Sequence, residues 1–438
     1  MAIILAAGRG ERMLSPLPKV AHEIGGRSLL DHVLSAVAPL APAKTVPVLA
    51  PGMSDLAATL QDFPVAIQER PLGTGDAVRA GLGHSGAEED VLILYGDTPF
   101  VQTETLHALV ARRAEKDNPA LVLLAMRPRI SRGYGRMVTD DGGNLLRIVE
   151  EKDTSAAERA IPLCNGGVMV AEGAFLRQAI PELVPANAKG EYYLTDLVAL
   201  AVKKGRQLAY IETSEEEVLG INTQAELAGA EHLFQERKRL EALERGVTLR
   251  DPGSVYFSWD TMIGRGCVIE PHVVFGRGVT IEKEALIRSF SYIEGARIGT
   301  GAIVGPFARI RPTSEIASAA HIGNFVEIKN ARIGSRAKAN HLSYIGDAEV
   351  GEAANIGAGT ITCNYDGVAK HRTKIGDSAF IGSNTALVAP VEIGAGAMVG
   401  AGSVITRRVA EDALALSRAP QIERRGWASL FRAKRRKG

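Results

Sequence analysis

Apolar residues recur every six positions between residues 263 and 405, and this repeat restricts the fold of the 438-residue chain more than any other feature. The repeat has 24 positions, which are six residues apart except at three five-residue steps and one longer break. Of these positions, only Ala339 and Thr362 are not large and apolar. A period of six fits neither a helix of 3.6 residues per turn nor a strand of period two. It fits a coil of short strands that meet at regular corners, where each strand sends one aliphatic side chain inward.

Three hexapeptides per coil would stack about eight coils, about 4.8 Å apart, into a prism roughly 40 Å long. The pattern resembles the hexapeptide-repeat acyltransferases. That resemblance implies a left-handed parallel β-helix that assembles into trimers with active sites between subunits. The period alone also allows a purely structural β-helix, which would only oligomerise the chain or support another domain.

The first half of the chain has a different pattern, in which apolar strands alternate with helical stretches. Strands are predicted at residues 3–7, 46–50, 91–95 and 120–125, which indicates an α/β fold with a mostly parallel, Rossmann-like sheet. Ligands of such sheets bind at the carboxyl ends of the strands. Residues 224–245 are polar with leucines at near-helical spacing and predict a connecting helix. We therefore expect three parts, residues 1–222, 223–250 and 251–438.

Composition excludes several classes of protein. Fifty-one Lys and Arg against 50 Asp and Glu leave a net charge of +1, so neither nucleic acid nor a membrane is an expected partner. The three cysteines are isolated in the sequence, which favours a reducing cytoplasm over a disulfide or zinc framework. The apolar first eight residues are too short for a signal peptide. The basic tail, residues 424–437, is expected to be a solvated end.

The first predicted strand leads into a glycine-containing loop. Gly8 and Gly10 allow backbone N–H groups to turn onto an anion. The loop is neither a dinucleotide fingerprint, because Met13 stands where a third glycine is needed, nor a Walker A loop. Arg12 and Lys19 add two cations, which suit the charge of a triphosphate.

This loop resembles the signature of the sugar-1-phosphate nucleotidylyltransferases, L-x-x-G-x-G-x-R-M-x-x-x-x-P-K. Seven further segments continue the resemblance in chain order: Gln68 with Leu72-Gly73-Thr74-Gly75, Tyr95-Gly96-Asp97, Gly133-Tyr134-Gly135-Arg136, Val149-Glu150-Glu151-Lys152, Asn165-Gly166, Glu191-Tyr192-Tyr193-Leu194-Thr195-Asp196 and Gly220-Ile221-Asn222. One segment departs from the family, which often has Asn-Thr-Gly where this chain has Cys164-Asn165-Gly166-Gly167.

The resemblance implies roles for individual residues. The uridine nucleotide would be bound by Leu5, Ala6, Ala7, Gly8, Gly10, Gln68, Gly73, Thr74, Tyr95 and Gly96. Arg12 and Lys19 would act on its phosphates, and Gly135, Glu150 and Asn165 would hold the amino sugar phosphate. Asp97 and Asn222 would ligate Mg²⁺, which prefers oxygen ligands. The implied chemistry is in-line attack of the sugar phosphate on the α-phosphorus of UTP, a step that positioning and charge neutralisation can carry.

In the repeat region the candidate catalytic residue is His341, which lies close to a register break. Transfer of an acetyl group to an amine needs a base, and histidine titrates near neutral pH. The long break after Thr362 predicts an ejected loop, residues 363–367. This region resembles the acetyltransferase half of the bifunctional N-acetylglucosamine-1-phosphate uridylyltransferase / glucosamine-1-phosphate acetyltransferase family, and the two resemblances together cover nearly the whole chain.

By this resemblance the glucosamine phosphate would be bound by Arg311, Lys329, Tyr344 and Asn355. Acetyl-CoA would be bound by Ala358, Ser383, Ala401 and Arg418, with Asn364 and Tyr365 at the reaction centre. Glu327 is a candidate for orienting the base or the amine. A role of Cys363 as an acyl carrier is disfavoured, because direct transfer needs no thiol.

These observations predict a cytoplasmic, homotrimeric, bifunctional enzyme. It would acetylate glucosamine 1-phosphate with acetyl-CoA and then couple the product to UTP, giving UDP-N-acetylglucosamine for peptidoglycan and lipopolysaccharide synthesis. Two alternatives remain open. One is a monofunctional nucleotidylyltransferase with a regulatory β-helix, although His341 and the loop 363–367 argue against it. The other is a scaffold with both sites inactive.

Overall fold

The computed structural model describes residues 1–84, 86, 89–131, 133–187 and 190–435. The chain forms two compact units, Met1–Leu233 and Phe234–Gly438. Their boundary falls inside one continuous helix, Gln224–Glu244, at the position of the predicted connecting helix. The last two residues of the predicted basic tail, 436 and 437, lie outside the described residues. Within the described ranges, no helix is both long and apolar enough to span a membrane.

The first unit is an α/β sheet with helices packed against it. Its described strands are β1 (Ala2–Leu5), β2 (Glu23–Ile24), β3 (Arg27–Ser28), β4 (Thr45–Leu49), β5 (Ala66–Ile67), β6 (Val91–Tyr95), β7 (Leu121–Met126), β8 (Arg136–Thr139), β9 (Leu145–Val149), β10 (Cys164–Ala171) and β11 (Leu208–Thr213). Its described α-helices are α1 (Leu29–Val37), α2 (Ser54–Thr59), α3 (Thr74–Leu82), α4 (Thr103–Arg113), α5 (Ala156–Arg159), α6 (Gly173–Ala179) and α7 (Asp196–Lys203), and α8 (Gln224–Glu244) begins in this unit and ends in the second.

The main sheet has the order β11-β7-β10-β6-β1-β4-β5. Strand β1 pairs in parallel with β4 and β6, whereas β10 is antiparallel to both β6 and β7 and carries the β8–β9 hairpin at its start. The four predicted strands are present, each within a residue or two of its expected ends. All four residues of β1 are buried between the two helical layers, which is typical of a central strand.

The second unit is a parallel β-helix with three faces. Face 1 consists of β12 (Thr248–Leu249), β14 (Val268–Ile269), β17 (Leu286–Ile287), β20 (Ile303–Val304), β23 (His321–Asn324), β26 (Lys338–His341), β29 (Asn355–Ile356), β32 (Phe380–Ile381), β35 (Met398–Val399) and β37 (Leu414–Ala415). Face 2 consists of β15 (Val274–Phe275), β18 (Tyr292–Ile293), β21 (Arg309–Ile310), β24 (Glu327–Lys329), β27 (Tyr344–Gly346), β30 (Ile361–Cys363), β33 (Ala386–Val388) and β36 (Val404–Ile405). Face 3 consists of β13 (Met262–Ile263), β16 (Thr280–Ile281), β19 (Ala296–Ile298), β22 (Ser314–Ile316), β25 (Arg332–Ile333), β28 (Ala348–Val350), β31 (Thr373–Ile375) and β34 (Val391–Ile393). The chain ends in a short exposed helix, α9 (Trp427–Arg435).

The hexapeptide interpretation is confirmed by the β-helix core. Of the 24 repeat positions, all except Ile263 are buried, including the small Ala339 and the polar Thr362. Equivalent residues of successive coils pair in parallel, as Ile310 does with Ile328 and Ile328 with Ile345. The core is therefore a set of aliphatic columns that run along the β-helix axis.

Every departure from the six-residue step falls at the same corner of the β-helix, between face 2 and face 3. The three five-residue steps follow β18, β24 and β27, and the long break follows β30. The loop predicted after Thr362 therefore emerges from one defined edge of the β-helix.

The corner between face 1 and face 2 carries an exposed apolar ladder. His272, Phe290, Phe307, Phe325 and Leu342 occupy equivalent corner positions with φ between 53° and 61°. The four rings stack with centroid separations of 4.9, 4.8 and 5.2 Å. Large side chains rarely adopt this left-handed backbone conformation, so the geometry of the coil imposes it at these corners. We call these five residues the corner ladder.

Replacing Ile322 by Ala tests the aliphatic column. Ile322 is fully buried, so the substitution should lower the free energy of unfolding by about 2–5 kcal/mol. Urea unfolding followed by tryptophan fluorescence reads this unit selectively, because both tryptophans, Trp259 and Trp427, belong to it. Arg297→Ala is the matched control: it removes only an exposed ion pair with Glu282 and should cost less than about 1 kcal/mol. Equal losses for the two variants would contradict the aliphatic-column interpretation.

Candidate active sites

The predicted nucleotide loop and the Gly96-Asp97 segment leave the sheet at the same edge. Strands β1 and β6 are neighbours, and Leu5 pairs with Tyr95 at their carboxyl ends. The Gly96 N–H donates to the Leu5 carbonyl at 2.9 Å. Because adjacent parallel strands end together, the chain brings the glycine loop and a carboxylate to one place.

Lys19 links the two predicted metal ligands. Its Nζ donates to Asp97 Oδ2 and, at 3.1 Å, to Asn222 Oδ1. The side chains of Lys19 and Asp97 are each only 14% exposed. Three residues from distant parts of the sequence therefore converge in a half-buried polar cluster, which we call the Lys19 cluster.

Asn222 is held in place by the start of α8. The Glu226 Oε2 accepts hydrogen bonds from the backbone N–H groups of Asn222 (2.7 Å) and Thr223 (3.0 Å), and the Thr223 hydroxyl accepts from the Glu226 N–H at 3.2 Å. This is a capping box. The Ile221 N–H also donates to the Asp97 carbonyl at 3.1 Å, so the two segments are joined directly.

The chemistry of the Lys19 cluster fits Mg²⁺. A carboxylate oxygen and an amide oxygen point at the same cationic atom, Lys19 Nζ, and both are hard oxygen donors of the kind Mg²⁺ prefers. Among the residues that the structure describes, no group of three or more His, Cys, Asp or Glu could hold a metal. A site with two protein oxygens matches the usual arrangement in which phosphates and water complete the Mg²⁺ shell.

Gln68 is oriented by two acceptors. This residue is 7% exposed, and its Nε2 donates to the Gly73 carbonyl and to Asp76 Oδ2, both at 3.0 Å. Both N–H groups of the amide are thereby engaged, and the Oε1 remains to accept a hydrogen bond. An acceptor in this position is complementary to the N3–H group of a uracil ring.

The turn after Gln68 is joined to the segment around Tyr192. Gly73 has φ 103°, and a Cβ atom added there would lie 2.7 Å from the Tyr192 carbonyl oxygen. The Thr74 hydroxyl accepts from the Leu194 N–H at 3.0 Å. Beside them, burial raises the pKa of Tyr95, with Glu150 and Asp97 adding to the shift, so its phenol is a neutral donor.

The three residues predicted to hold the sugar phosphate lie together. The Asn165 N–H donates to the Gly135 carbonyl at 2.9 Å, and the Glu150 Oε1 accepts from the Thr195 hydroxyl at 3.0 Å. A Cβ atom at Gly135 would lie 3.5 Å from Glu150 Oε2. The three segments are thus joined to one another.

The segment that departs from the family pattern interrupts the regular pairing of β10 with β7. The register of β10 against β7 shifts between Asn165 and Met169. Gly167 has φ 86°, and a Cβ atom at Gly166 would lie 2.9 Å from the Leu124 carbonyl oxygen. Both glycines are therefore required by the local backbone.

The other predicted residues of this site range from exposed to buried. Arg12 and Gly8 are exposed, and Ala7 is half-buried. Leu5 and Ala6 are buried in the sheet, and the Ala6 N–H donates to the Val48 carbonyl at 2.9 Å. Any contact of Leu5 or Ala6 with a nucleotide has to use backbone atoms.

In the β-helix, His341 and the predicted acetyl-CoA residues form one column. The residues that precede the corner between face 1 and face 2 lie in parallel register on successive coils. They are Asn324, His341, Ala358, Ser383 and Ala401, and Arg418 Nη1 donates to the Ala401 carbonyl at 2.9 Å. The column runs beside the corner ladder, so an elongated ligand lying along this edge would contact several coils at once.

His341 ends β26 and is exposed. Its Nδ1 lies 3.3 Å from Asn324 Oδ1 on the preceding coil. An amide oxygen only accepts, so this contact assigns the proton to Nδ1 and leaves Nε2 as the basic nitrogen. A neutral imidazole with an exposed Nε2 can take a proton from an amine.

Face 2 presents the predicted phosphate-binding cations side by side. Arg311 and Lys329 follow the paired residues Ile310 and Ile328, and Lys329 pairs with Gly346 on the next coil. A Cβ atom at Gly346 would lie 2.3 Å from the Tyr344 Oη, so glycine lets the Tyr344 ring lie along the coil. Glu327, the candidate for orienting the base or the amine, lies beside these cations, and its Oε1 accepts from Arg311 Nη1 at 2.9 Å.

The loop after β30 is closed by its own polar groups. Asp366 Oδ1 accepts from the N–H groups of Val368 and Ala369, and its Oδ2 lies 2.7 Å from His371 Nε2. These bonds hold the pKa of Asp366 below its ordinary value. Asn364 is buried at the base of the loop, whereas Tyr365 is 60% exposed.

Asn355 is separate from the other residues predicted to bind glucosamine phosphate. It starts β29 on face 1 and pairs with Lys338, whereas Arg311, Lys329 and Tyr344 lie on face 2. One chain therefore does not assemble this residue set by itself.

Several residues of the two sites are missed by sequence reasoning. Asn324, Asp347, Thr195 and Glu226 each hold a predicted site residue in place. Only Glu226 carries a readable signal, because Thr223-x-x-Glu226 is a capping-box pattern. The other three act through contacts between segments that sequence spacing does not reveal.

The chain was compared with known proteins. Residues 2–172 match the family model of the MobA-like NTP transferase domain, and residues 372–407 match the bacterial transferase hexapeptide model. A "Bifunctional protein GlmU" of Paramagnetospirillum magneticum is 50% identical, covering 98% of this chain and 96% of the relative. A relative of the same name from Sphingopyxis alaskensis is 51% identical, covering 100% of this chain and 97% of the relative. Another, from a Jannaschia species, is 52% identical, covering 99% of this chain and 95% of the relative. The inositol-1-phosphate CTP transferase structure from T. maritima is similar over 54% of this chain and 95% of its own, with 16% identity and a TM-score of 0.44, too weak to support a conclusion.

Replacing Gly10 by Ala tests the Lys19 cluster. Gly10 has φ 71°, and a Cβ atom there would lie 2.6 Å from Lys19 Cβ, so the substitution should displace Lys19. Nucleotidyl transfer, followed by pyrophosphate release, should fall at least about 10-fold, which corresponds to about 1.4 kcal/mol of transition-state stabilisation. Acetyl transfer should not change. Gly229→Ala is the matched control, since a Cβ atom there meets nothing within 4 Å. Unchanged pyrophosphate release in the Gly10→Ala variant would contradict the role of Lys19.

Proposed function

The chain belongs to the bifunctional GlmU family, and on that basis we propose that it makes UDP-N-acetylglucosamine in two steps. The β-helix transfers the acetyl group of acetyl-CoA to glucosamine 1-phosphate. The α/β unit then transfers the uridylyl group of UTP to N-acetylglucosamine 1-phosphate and releases pyrophosphate. The observation that carries this proposal is that each unit groups residues expected for one of the two reactions, the Lys19 cluster in one and the His341 column in the other.

In uridylyl transfer the protein supplies position and charge. Gln68 Oε1 accepts from the uracil ring, while Lys19 and Arg12 offset the negative charge of the triphosphate. Mg²⁺, held by Asp97 and Asn222, would add further charge neutralisation at the phosphates. The sugar phosphate, placed by Glu150, Asn165 and Gly135, attacks the α-phosphorus in line, so no protein nucleophile is needed.

In acetyl transfer His341 is the base. Its Nε2 takes a proton from the amine of glucosamine 1-phosphate as the nitrogen attacks the thioester carbon of acetyl-CoA. Acetyl-CoA lies along the column that contains Ala358, Ser383 and Ala401, with Arg418 at its end. Arg311 and Lys329 bind the sugar phosphate as paired cations. The C–S bond of the thioester breaks, and the sulfur takes up the proton held on His341, so coenzyme A leaves as the thiol.

The two activities are measured separately on the purified chain. With glucosamine 1-phosphate, acetyl-CoA, UTP and Mg²⁺, thiol release should occur without UTP, and pyrophosphate release should require acetyl-CoA. N-acetylglucosamine 1-phosphate should remove that requirement. Pyrophosphate release without thiol release under any condition would leave a monofunctional nucleotidylyltransferase with a structural β-helix.

Single substitutions should separate the two activities. His341→Gln removes the base and should lower acetyl transfer by about 10²–10⁴-fold without affecting uridylyl transfer. Lys19→Met removes a cation at the phosphates and should lower uridylyl transfer by about 10²–10³-fold without affecting acetyl transfer. Thiol release is read with glucosamine 1-phosphate and acetyl-CoA, and pyrophosphate release is read separately with N-acetylglucosamine 1-phosphate and UTP. Both assays use the same protein preparation, so each activity controls for folding. Loss of both activities in either variant would contradict the assignment of two independent sites.

The hexapeptide β-helix suggests oligomerisation, and we infer that the oligomer is a homotrimer in which neighbouring subunits complete the acetyl-transfer site. Two features support this. The corner ladder exposes apolar surface beside His341, with Phe290, Phe307 and Phe325 each about half exposed. Asn355 lies on a different face from Arg311 and Lys329, so a second copy would be needed to bring these residues together.

Phe307→Asn tests the trimer. Asparagine tolerates the φ of 53° at this position, so the coil should stay intact while the apolar ladder is interrupted. The unmodified protein should elute with a mass of about 140 kDa, three times 46.5 kDa, in size-exclusion chromatography with light scattering. The variant should shift toward 46.5 kDa and lose acetyl transfer but keep uridylyl transfer. Leu240→Asn, at an exposed position of α8, is the control that should remain trimeric. A monomeric unmodified protein would overturn the trimer.

We further propose that the enzyme works in the cytoplasm, where UTP and acetyl-CoA are available, and that its product supplies peptidoglycan and lipopolysaccharide synthesis. No nucleic-acid or membrane partner is part of this proposal, since the net charge is +1.

A further inference from the structure

Asp347 is a buried acid at the corner between face 2 and face 3, directly after β27. It is 6% exposed and has φ 48°. Its N–H donates to the Lys329 carbonyl at 3.0 Å, and its carbonyl accepts from the Thr373 N–H at 3.1 Å. The segment from β30 to β31, which contains the ejected loop, residues 363–367, therefore passes next to this residue.

Both carboxylate oxygens of Asp347 are engaged by side-chain amides. Oδ1 accepts from Asn330 Nδ2 at 2.5 Å, and Oδ2 accepts from Asn364 Nδ2. Burial works to raise the pKa of Asp347, but the bonds from Asn330 and Asn364, with the nearby Lys329, outweigh it, and the pKa lies below its ordinary value. At neutral pH this group is an ionised carboxylate that can only accept hydrogen bonds.

This acceptor decides which way the Asn364 amide faces. A carboxylate can bond only to the NH₂ end of the amide, and the second N–H of that end is directed at Tyr344 Oη, 3.4 Å away. The Asn364 Oδ1 is then the end that remains for a ligand. A substrate amine carries N–H donors, to which an amide oxygen is complementary and an NH₂ group is not.

We propose that Asp347 is a positioning residue for acetyl transfer, which fixes the rotation of the Asn364 side chain so that its amide oxygen faces the amine of glucosamine 1-phosphate. The proposal rests on the acetyl-transfer function proposed above and deepens it. Asp347 itself touches no reacting atom. It acts from behind Asn364, at the only corner where the hexapeptide step departs from six.

Asp347→Asn is the primary test. An asparagine bonded to Asn330 through its oxygen presents an NH₂ group to residue 364, which drives the Asn364 amide to rotate by half a turn. We expect kcat of acetyl transfer to fall at least about 10-fold, while KM for acetyl-CoA and for glucosamine 1-phosphate each change less than about threefold. Uridylyl transfer, measured on the same protein with N-acetylglucosamine 1-phosphate and UTP, should be unchanged. Acetyl transfer by the unmodified protein shows whether the function on which this proposal rests holds.

A double-mutant cycle separates positioning from a general structural effect. In an Asn364→Ala background there is no amide to orient, so Asp347→Asn should cost less than a further twofold in kcat. Losses that multiply in the double variant would overturn the proposal. So would an Asp347→Asn variant that keeps kcat within twofold of the unmodified protein.

The exchange of the two side chains, Asp347→Asn with Asn364→Asp, restores the hydrogen bond and again presents an oxygen at position 364. We expect its kcat for acetyl transfer to be at least threefold higher than that of Asp347→Asn. If the single variant unfolds, the exchange variant still tests the proposal. A folded exchange variant without this recovery would contradict the proposal. Asp377→Asn is the matched control, because Asp377 accepts the Glu352 N–H at 2.7 Å on the far side of face 3 and should not affect kcat.

Discussion

The parallel stacking of aliphatic side chains along the β-helix is the constraint on which the second unit depends. Each coil pairs with the next in register, so a residue type that recurs at one repeat position becomes a continuous column. The same register that buries Ile322 below its neighbours also aligns His341 with Ala358 and Ser383 on the outer surface. Core packing and site geometry are therefore two consequences of one pairing pattern.

The first unit holds the Lys19 cluster, a group of charged and polar side chains, at the edge of its main sheet. Parallel strands β1 and β6 end together, and the capping box at the start of α8 brings Asn222 to the same place. The Lys19 ammonium compensates the Asp97 carboxylate, so the half-buried acid does not remain unpaired.

Most of the architecture was predictable because it repeats or alternates. The six-residue step needed no tertiary information, and 23 of its 24 positions are buried as expected, while Ile263 at the start of the repeat is only half-buried. Four strands of the first half, β1, β4, β6 and β7, were placed within a residue or two, since buried strands are continuous apolar runs. Glu327 shows the limit: the sequence offered it as a residue that orients the base or the amine, and only the structure reveals its hydrogen bond with Arg311.

The residues that orient the site residues could not be found in this way. Asn324 reaches His341 from the preceding coil, and Asp347 reaches Asn364 across 17 positions of sequence. Such contacts depend on which residues the register stacks and on side-chain rotation at the corners, neither of which leaves a periodic signal. Thr195 holds Glu150 across 45 positions for the same reason.

The amino-acid sequence was sufficient to establish the two-part architecture, the inward-facing positions of the coil and the chemical classes of residue gathered for each reaction. These follow from local periodicity and from motif spacing, which act over a few residues. Tertiary structure alone decided that Lys19 bridges Asp97 and Asn222, and that every irregular step falls at one corner beside Asp347. Those outcomes depend on long-range pairing and on the directions of hydrogen-bond donors and acceptors, which exist only once distant segments have come together.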